Sequence, residues 1–134
     1  MRVLAVPTFT QAPMASHFSG IDTIIVRVRD ITAACAWYAA HLGGEQVYED
    51  DDQRLAVIEF SSGSTITLWQ IDDGAEFVAS ATYPILATNN ARAAHAALLA
   101  QGVPVQAVHE TPGVVYFRFT DLDGNPLEAC EVKD

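Results

Sequence analysis

An internal repeat constrains this chain more than any other feature. From Thr23 the residues read strand, helix, strand, strand, strand, and from Tyr83 they read so again. The landmarks keep step. Thr23 and Thr67 are 44 residues apart, and Tyr83 and Glu128 are 45 apart. Gly63 stands four residues before Thr67, and Gly124 four before Glu128. A chance succession of strands and helices has no reason to hold such intervals, so the spacing argues for a duplicated unit. The fold class expected is α+β, with two βαβββ modules at about 20–72 and 82–132 in a single domain at 18–134.

Local signals place the elements. Thr23 to Val28 is rich in β-branched residues and reads as a strand. Asp30 can cap a helix on which Ile31, Ala34, Tyr38 and Leu42 share one face, and Gly43-Gly44 ends it. Gln46–Tyr48, Leu55–Phe60 and Thr65–Ile71 then read as three antiparallel strands parted by acidic and Ser/Gly turns. In the second half, Ile85–Thr88 is strand-like, with Pro84 marking a strand start. Asn89 or Asn90 caps a helix through Ala91, Ala94 and Leu98 that Gly102 ends. Val105–His109, Val114–Thr120 and Leu127–Val132 complete the set.

Bulk properties exclude several classes of function. Half of the 134 residues are hydrophobic, enough to form a core without disulfide staples. The formal net charge of −10 repels phosphate backbones, so nucleic acid is not an expected partner. Much of that charge lies in Glu49-Asp50-Asp51-Asp52, which reads as a solvated turn. Cys35 and Cys130 lack metal-site spacing and read as two buried thiols in a reducing cytoplasm, a single disulfide being the alternative. Residues 1–17 read as a flexible arm. Their apolar patch, Val3–Val6, is too short for the core of a signal peptide, and no stretch reaches membrane-spanning length. The expected location is cytoplasmic, with no membrane partner.

Two groups of residues carry a family likeness. Val28-Arg29-Asp30, Trp37-Tyr38 and Leu42-Gly43 resemble the first-module pattern of the vicinal oxygen chelate superfamily, the glyoxalase, bleomycin-resistance and extradiol-dioxygenase family. Asp121-Leu122-Asp123-Gly124-Asn125-Pro126-Leu127-Glu128 resembles its D-P-D-G-N-x-x-E signature, with Leu122 in place of the usual proline. The resemblance covers about residues 20–132. It implies that the two modules form an open, cup-shaped barrel with the ligand in the cup, and it implies a homodimer, as many members exchange or pair modules. It also implies where a metal would bind: the start of the first strand and the end of the fourth in each module. Here those places hold Thr23, Thr67, Tyr83 and Glu128. Two hydroxyls, a phenol and one carboxylate make a poor set for a divalent ion. No metal and no cofactor are expected. His17, His41, His95 and His109 form no ligating pair.

Strand alternation assigns side chains to the two faces. On the first strand Ile24, Val26 and Val28 belong to the helix-packing face, leaving Thr23, Ile25 and Arg27 for the cup. The same parity gives the cup Thr67, Trp69, Tyr116, Arg118, Glu128 and Cys130. With Tyr83 added from the family positions that the resemblance implies, the expected ligand-binding residues are Thr23, Arg27, Thr67, Trp69, Tyr83, Tyr116, Arg118 and Glu128. Aromatic walls with a few convergent polar groups suit a small organic ligand, and two guanidinium forks suit an anionic or aromatic one. The competing assignment pairs one arginine with Glu128 and fills the cup with a structural ion pair.

Three functions stay open at this level. The first is a metal-free protein of the antibiotic-resistance or carrier kind that binds a small molecule. The second is a lyase, isomerase or dioxygenase with an unusual or degraded metal site, its catalytic residues unknown. The third is a structural module without a ligand. Nucleophilic catalysis finds no support, since neither cysteine has a base nearby in sequence.

Overall fold

The computed structural model describes residues 16–134. The expected arm at 1–17 lies outside them, apart from its last two residues, both exposed. Two βαβββ modules follow one another. The first comprises β1 (Ile24–Val28), α1 (Ile31–Leu42), β2 (Glu45–Asp50), β3 (Leu55–Glu59) and β4 (Thr65–Gln70). The second comprises β5 (Ile85–Ala87), α2 (Ala91–Ala100), β6 (His109–Glu110), β7 (Val114–Thr120) and β8 (Pro126–Val132). Each module makes one four-stranded sheet, in the order β1-β4-β3-β2 or β5-β8-β7-β6. In each, the first strand runs parallel to the last, and the other pairings are antiparallel. The two sheets are not hydrogen-bonded to each other, so the barrel is open.

The helices begin and end for local reasons. The Asp30 carboxylate accepts from the Ala33 amide at 3.0 Å, and the Asn90 side chain from the Ala93 amide at 2.9 Å. Each such cap satisfies an amide that the helix itself leaves unpaired, worth about 1 kcal/mol. Gly43 ends α1 at φ 69°, a conformation that a side chain would strain. Ala34 and Tyr38 of α1, and Ala91 and Leu98 of α2, are buried against their sheets. Val26, Val28, Ile58, Leu68, Phe117, Phe119 and Leu127 meet them in one core shared by both modules.

Four expectations need correction. The acidic run is not wholly a turn: Glu49 and Asp50 continue β2, and the turn begins at Asp51. An edge strand tolerates outward carboxylates, which also discourage pairing with another chain. The expected strand Val105–His109 is reduced to one bridge, Val105 with Phe119, and the two-residue β6. Pro104 removes a backbone donor just ahead of this stretch. Ile24, assigned to the helix-packing face, is 39% exposed, because helix cover begins only at Val26. Cys35 and Cys130 are unbridged but half-buried rather than buried.

The modules are joined by a polar hub. Asp121, buried in the β7–β8 turn, accepts from the Tyr38 hydroxyl at 2.7 Å. It also accepts from the amides of Asp123 and Asn125 and from the Asn125 side chain, at 2.9, 2.9 and 3.0 Å. Asn125 Nδ2 donates in turn to the Arg27 carbonyl at 2.8 Å, and Arg29 pairs with Asp123 at 3.2 Å. A buried carboxylate is tolerated only when its lone pairs are satisfied, and here four donors reach one side chain.

Candidate functional site

The eight expected residues fall into two groups, one on each sheet. In the first module, Thr23 precedes β1 and Thr67 sits in the middle of β4. The parallel register sets Ile25 beside Thr67, and the two threonine hydroxyls meet at 2.9 Å. Thr67 is buried. Further along the same strands, Arg27 lies beside Trp69. Its guanidinium stands 5.1 Å from the centre of the indole ring. It donates from Nε to the Trp69 carbonyl at 3.0 Å and from Nη2 to the Gln70 carbonyl at 2.9 Å. Trp69 is itself anchored through its indole N–H to the Gln53 carbonyl at 3.0 Å.

In the second module, Glu128 of β8 stands opposite Arg118 of β7 in the antiparallel register. Arg118 Nε lies 3.6 Å from a Glu128 carboxylate oxygen. Its Nη2 donates to the Tyr83 hydroxyl, and its Cζ stands 4.8 Å from the centre of the Tyr83 ring. The Arg118 side chain is 51% exposed while that of Glu128 is 12% exposed. A pair this long and this open to water contributes about 0–1 kcal/mol, so little holds Arg118 back from another anion. Tyr116 lies opposite Cys130 and stacks on His109, ring centres 5.3 Å apart.

Each sheet thus gathers its own four residues. Contacts join Thr23 with Thr67 and Arg27 with Trp69 on one, and Tyr83, Arg118 and Glu128 on the other. No hydrogen bond or ion pair among the described residues links one group to the other. Ile25 and Ile85, near the starts of the two first strands, are 51% and 57% exposed.

Sequence reasoning missed His109 as the stacking partner of Tyr116. It also took Asp121 and Asn125 as marks of a family without seeing what they do. The signal for the hub was present: an Asp and an Asn bracketing a turn glycine, followed by an apolar strand, have to find partners if the turn is covered. Parity arguments act within a strand and cannot pair residues 83 apart, as Tyr38 and Asp121 are.

The four family metal positions make a poor donor set for a divalent ion in this chain. The pair in the first module is two neutral hydroxyls bonded to each other. The pair in the second module has a guanidinium between its members. Among the described residues no three His, Cys, Asp or Glu side chains converge. A divalent ion is held by several anionic or imidazole donors, and one carboxylate already facing a cation does not supply them.

No curated protein sequence matches the chain. Solved structures do. The glyoxylase/bleomycin resistance protein/dioxygenase domain from Frankia sp. EAN1pec superposes with a TM-score of 0.74 at 20% identity, over 87% of this chain and 94% of that one. TnmS3, an antibiotic binding protein from Streptomyces sp. CB03234, gives 0.75 at 19% identity, over 89% and 100%. A lactoylglutathione lyase from Agrobacterium tumefaciens gives 0.68 at 20% identity, over 84% and 93%. At such identities the likeness is one of fold. The sequence pattern that defines a family matches residues 20–129, and by that match the chain belongs to the Glyoxalase/Bleomycin resistance protein/Dioxygenase superfamily.

Proposed function

We propose that this protein binds a small organic anion, with an aromatic part, in a cup lined by its sheets, without a metal. The observation that carries the reading is Arg118, whose guanidinium touches both Tyr83 and Glu128, the two family metal positions of the second module. The positive charge that a metal would bring to that spot is supplied by a side chain. A guanidinium binds a carboxylate or phosphate through two parallel N–H donors, which a monatomic ion does not do, so the site favours recognition of an anion's shape. Tyr83 and Tyr116 on one sheet and Trp69 on the other offer ring faces for a flat ligand. Thr23 and Thr67 add hydroxyls that can donate or accept. Arg27, committed to two backbone carbonyls, lends charge more than free donors.

The same reading includes a homodimer. With the contacts of each residue group confined to its own sheet, a complete cup needs two sheets facing each other, and a second copy is one way to bring them together. The exposed Ile25 and Ile85 would be covered by that arrangement. TnmS3 is an antibiotic binding protein, and for this chain a carrier or resistance role is the corresponding proposal.

A thermal-shift screen of aromatic carboxylates, sulfonates and phosphates tests the reading, followed by calorimetry on variants. A charge-assisted hydrogen bond is worth about 1.5–3 kcal/mol, so Arg118→Ala should weaken the best anion roughly ten- to a hundredfold. Arg27→Ala should weaken it less. Best ligands that are neutral or cationic, or an Arg118→Ala protein that binds anions as its parent does, would reduce Arg118 to a structural partner of Glu128.

A further inference from the structure

The duplicated modules keep the same turns but not the same joints. In the β3–β4 turn, Phe60 N donates to the Ser64 carbonyl and Gly63 N to the Phe60 carbonyl. In the β7–β8 turn, Asp121 N donates to the Asn125 carbonyl and Gly124 N to the Asp121 carbonyl. Phe60 is therefore the counterpart of Asp121, and Ser64 of Asn125. Counting from the helix caps Asp30 and Asn90, Trp37 and Tyr38 of α1 correspond to Ala97 and Leu98 of α2. One joint between the modules is the hub, filled by Tyr38 and tied to β1 through Asn125. At the other, Leu98 replaces the tyrosine and Phe60 the aspartate. Ala97 stands where the first module has a tryptophan, and Ser64 bonds within its own turn.

Large residues replaced by small ones leave space. A cavity of about 230 Å³ opens there, walled by Phe60, Leu86, Ala94, Ala97 and Leu98. A second of about 380 Å³ adjoins it and shares Leu42, Phe60, Leu86 and Ala87 with it. No Asp, Glu, Lys or Arg lines either one, in a chain where such residues make up 18%. An ionic ligand would lose its hydration there without compensation. The polar side chains on the wall of the smaller cavity are His41 and Thr88, and the Thr88 hydroxyl already accepts from the Asn90 amide at 3.2 Å. His41 Nδ1 meets the Gln101 side-chain oxygen, which can only accept, so Nδ1 is the donor there and Nε2 is the ring nitrogen left for a ligand.

We propose that this second joint is a binding site for a neutral aromatic of one or two rings carrying one hydrogen-bond donor, as phenol and indole do. An apolar cavity of roughly 150 Å³ already accepts a benzene ring, so the space is sufficient. The smaller cavity, walled by α2, lies apart from Arg118, Tyr83 and Glu128, and its ligand does not depend on what the cup binds.

Indole and phenol, titrated into ¹⁵N-labelled protein and followed by NMR, test the proposal. Amide shifts are expected at Leu86, Ala94, Ala97 and Leu98, with benzoate and benzylammonium binding at least tenfold more weakly. Ala97→Phe, at an exposed helix position, puts a ring into the cavity and should cut indole affinity at least tenfold without lowering Tm. His41→Phe keeps a ring but removes the acceptor, and should abolish the preference for phenol over toluene. Shifts that are absent or gather at Tyr116 and Glu128 would overturn the proposal. So would charged analogues binding as well as indole, a folded Ala97→Phe protein that binds indole like its parent, or a phenol preference that survives His41→Phe.

Discussion

The Tyr38 hydroxyl is held inside the core, and burial, with the Asp121 carboxylate beside it, pushes its pKa well above the ordinary phenol value. The folded state therefore prefers the protonated phenol. An unfolded tyrosine ionises near pH 10, so this contribution to stability is fully present below about pH 10 and is lost as the pH rises beyond it. Urea denaturation should show stability falling steeply between about pH 10 and 12, and Tyr38→Phe should flatten that fall. At neutral pH the same substitution should cost about 1–3 kcal/mol, because Asp121 loses one of its four donors while staying buried. An unchanged midpoint at neutral pH would show that the hub does not hold the modules together. Both partners were legible in the sequence as motif residues, but not their meeting, since nothing local ties position 38 to position 121. Arg118 and Glu128 were easier to read, because a residue's face on a strand follows from counting by two, and Tyr83 came only from the family resemblance. The Thr23–Thr67 and Arg118–Glu128 contacts follow from that count together with strand order.

At the joint between α1 and β2 the chain passes very close to the core. A methyl group added at Gly44 would lie 2.3 Å from Cγ2 of Ile58, a fully buried side chain with no room to retreat. Gly44→Ala should therefore destabilise the protein by about 1–3 kcal/mol, read from the shift in the denaturation midpoint. A neutral result would mean that α1 can slide along its sheet. The paired glycines after α1 were legible as a helix stop, Gly43 for its left-handed backbone, but the second one serves close packing, which only the fold reveals. Long, periodic elements were the readable ones: β1, α1, β4, α2, β7 and β8 lie close to where their patterns put them. β2 and β6, at the far edges of the two sheets, were not. β2 is polar and was read too short, and β6 nearly vanishes, because at a sheet edge pairing is settled by neighbours more than by the strand's own residues.

Across the whole molecule, the repeat fixed the architecture and the family positions fixed where to look, but the joining of two half-sites belongs to neither. Sedimentation at micromolar concentration should give twice the chain mass, and a monomer there would mean that the cup is completed within one chain or not at all. The net charge of −10 sets a long-range field that repels anions, so anion binding has to come from the local guanidinium, and salt should alter it less than the overall charge suggests. Metal-free binding depends on the contacts of Arg118 with Tyr83 and Glu128 at the second module's family metal positions. The direct test is elemental analysis of the protein after equilibration with zinc, nickel, manganese and iron(II) and removal of loosely held ions. Far less than one ion per chain is expected. One tightly held ion per chain, lost in Glu128→Ala, would contradict it.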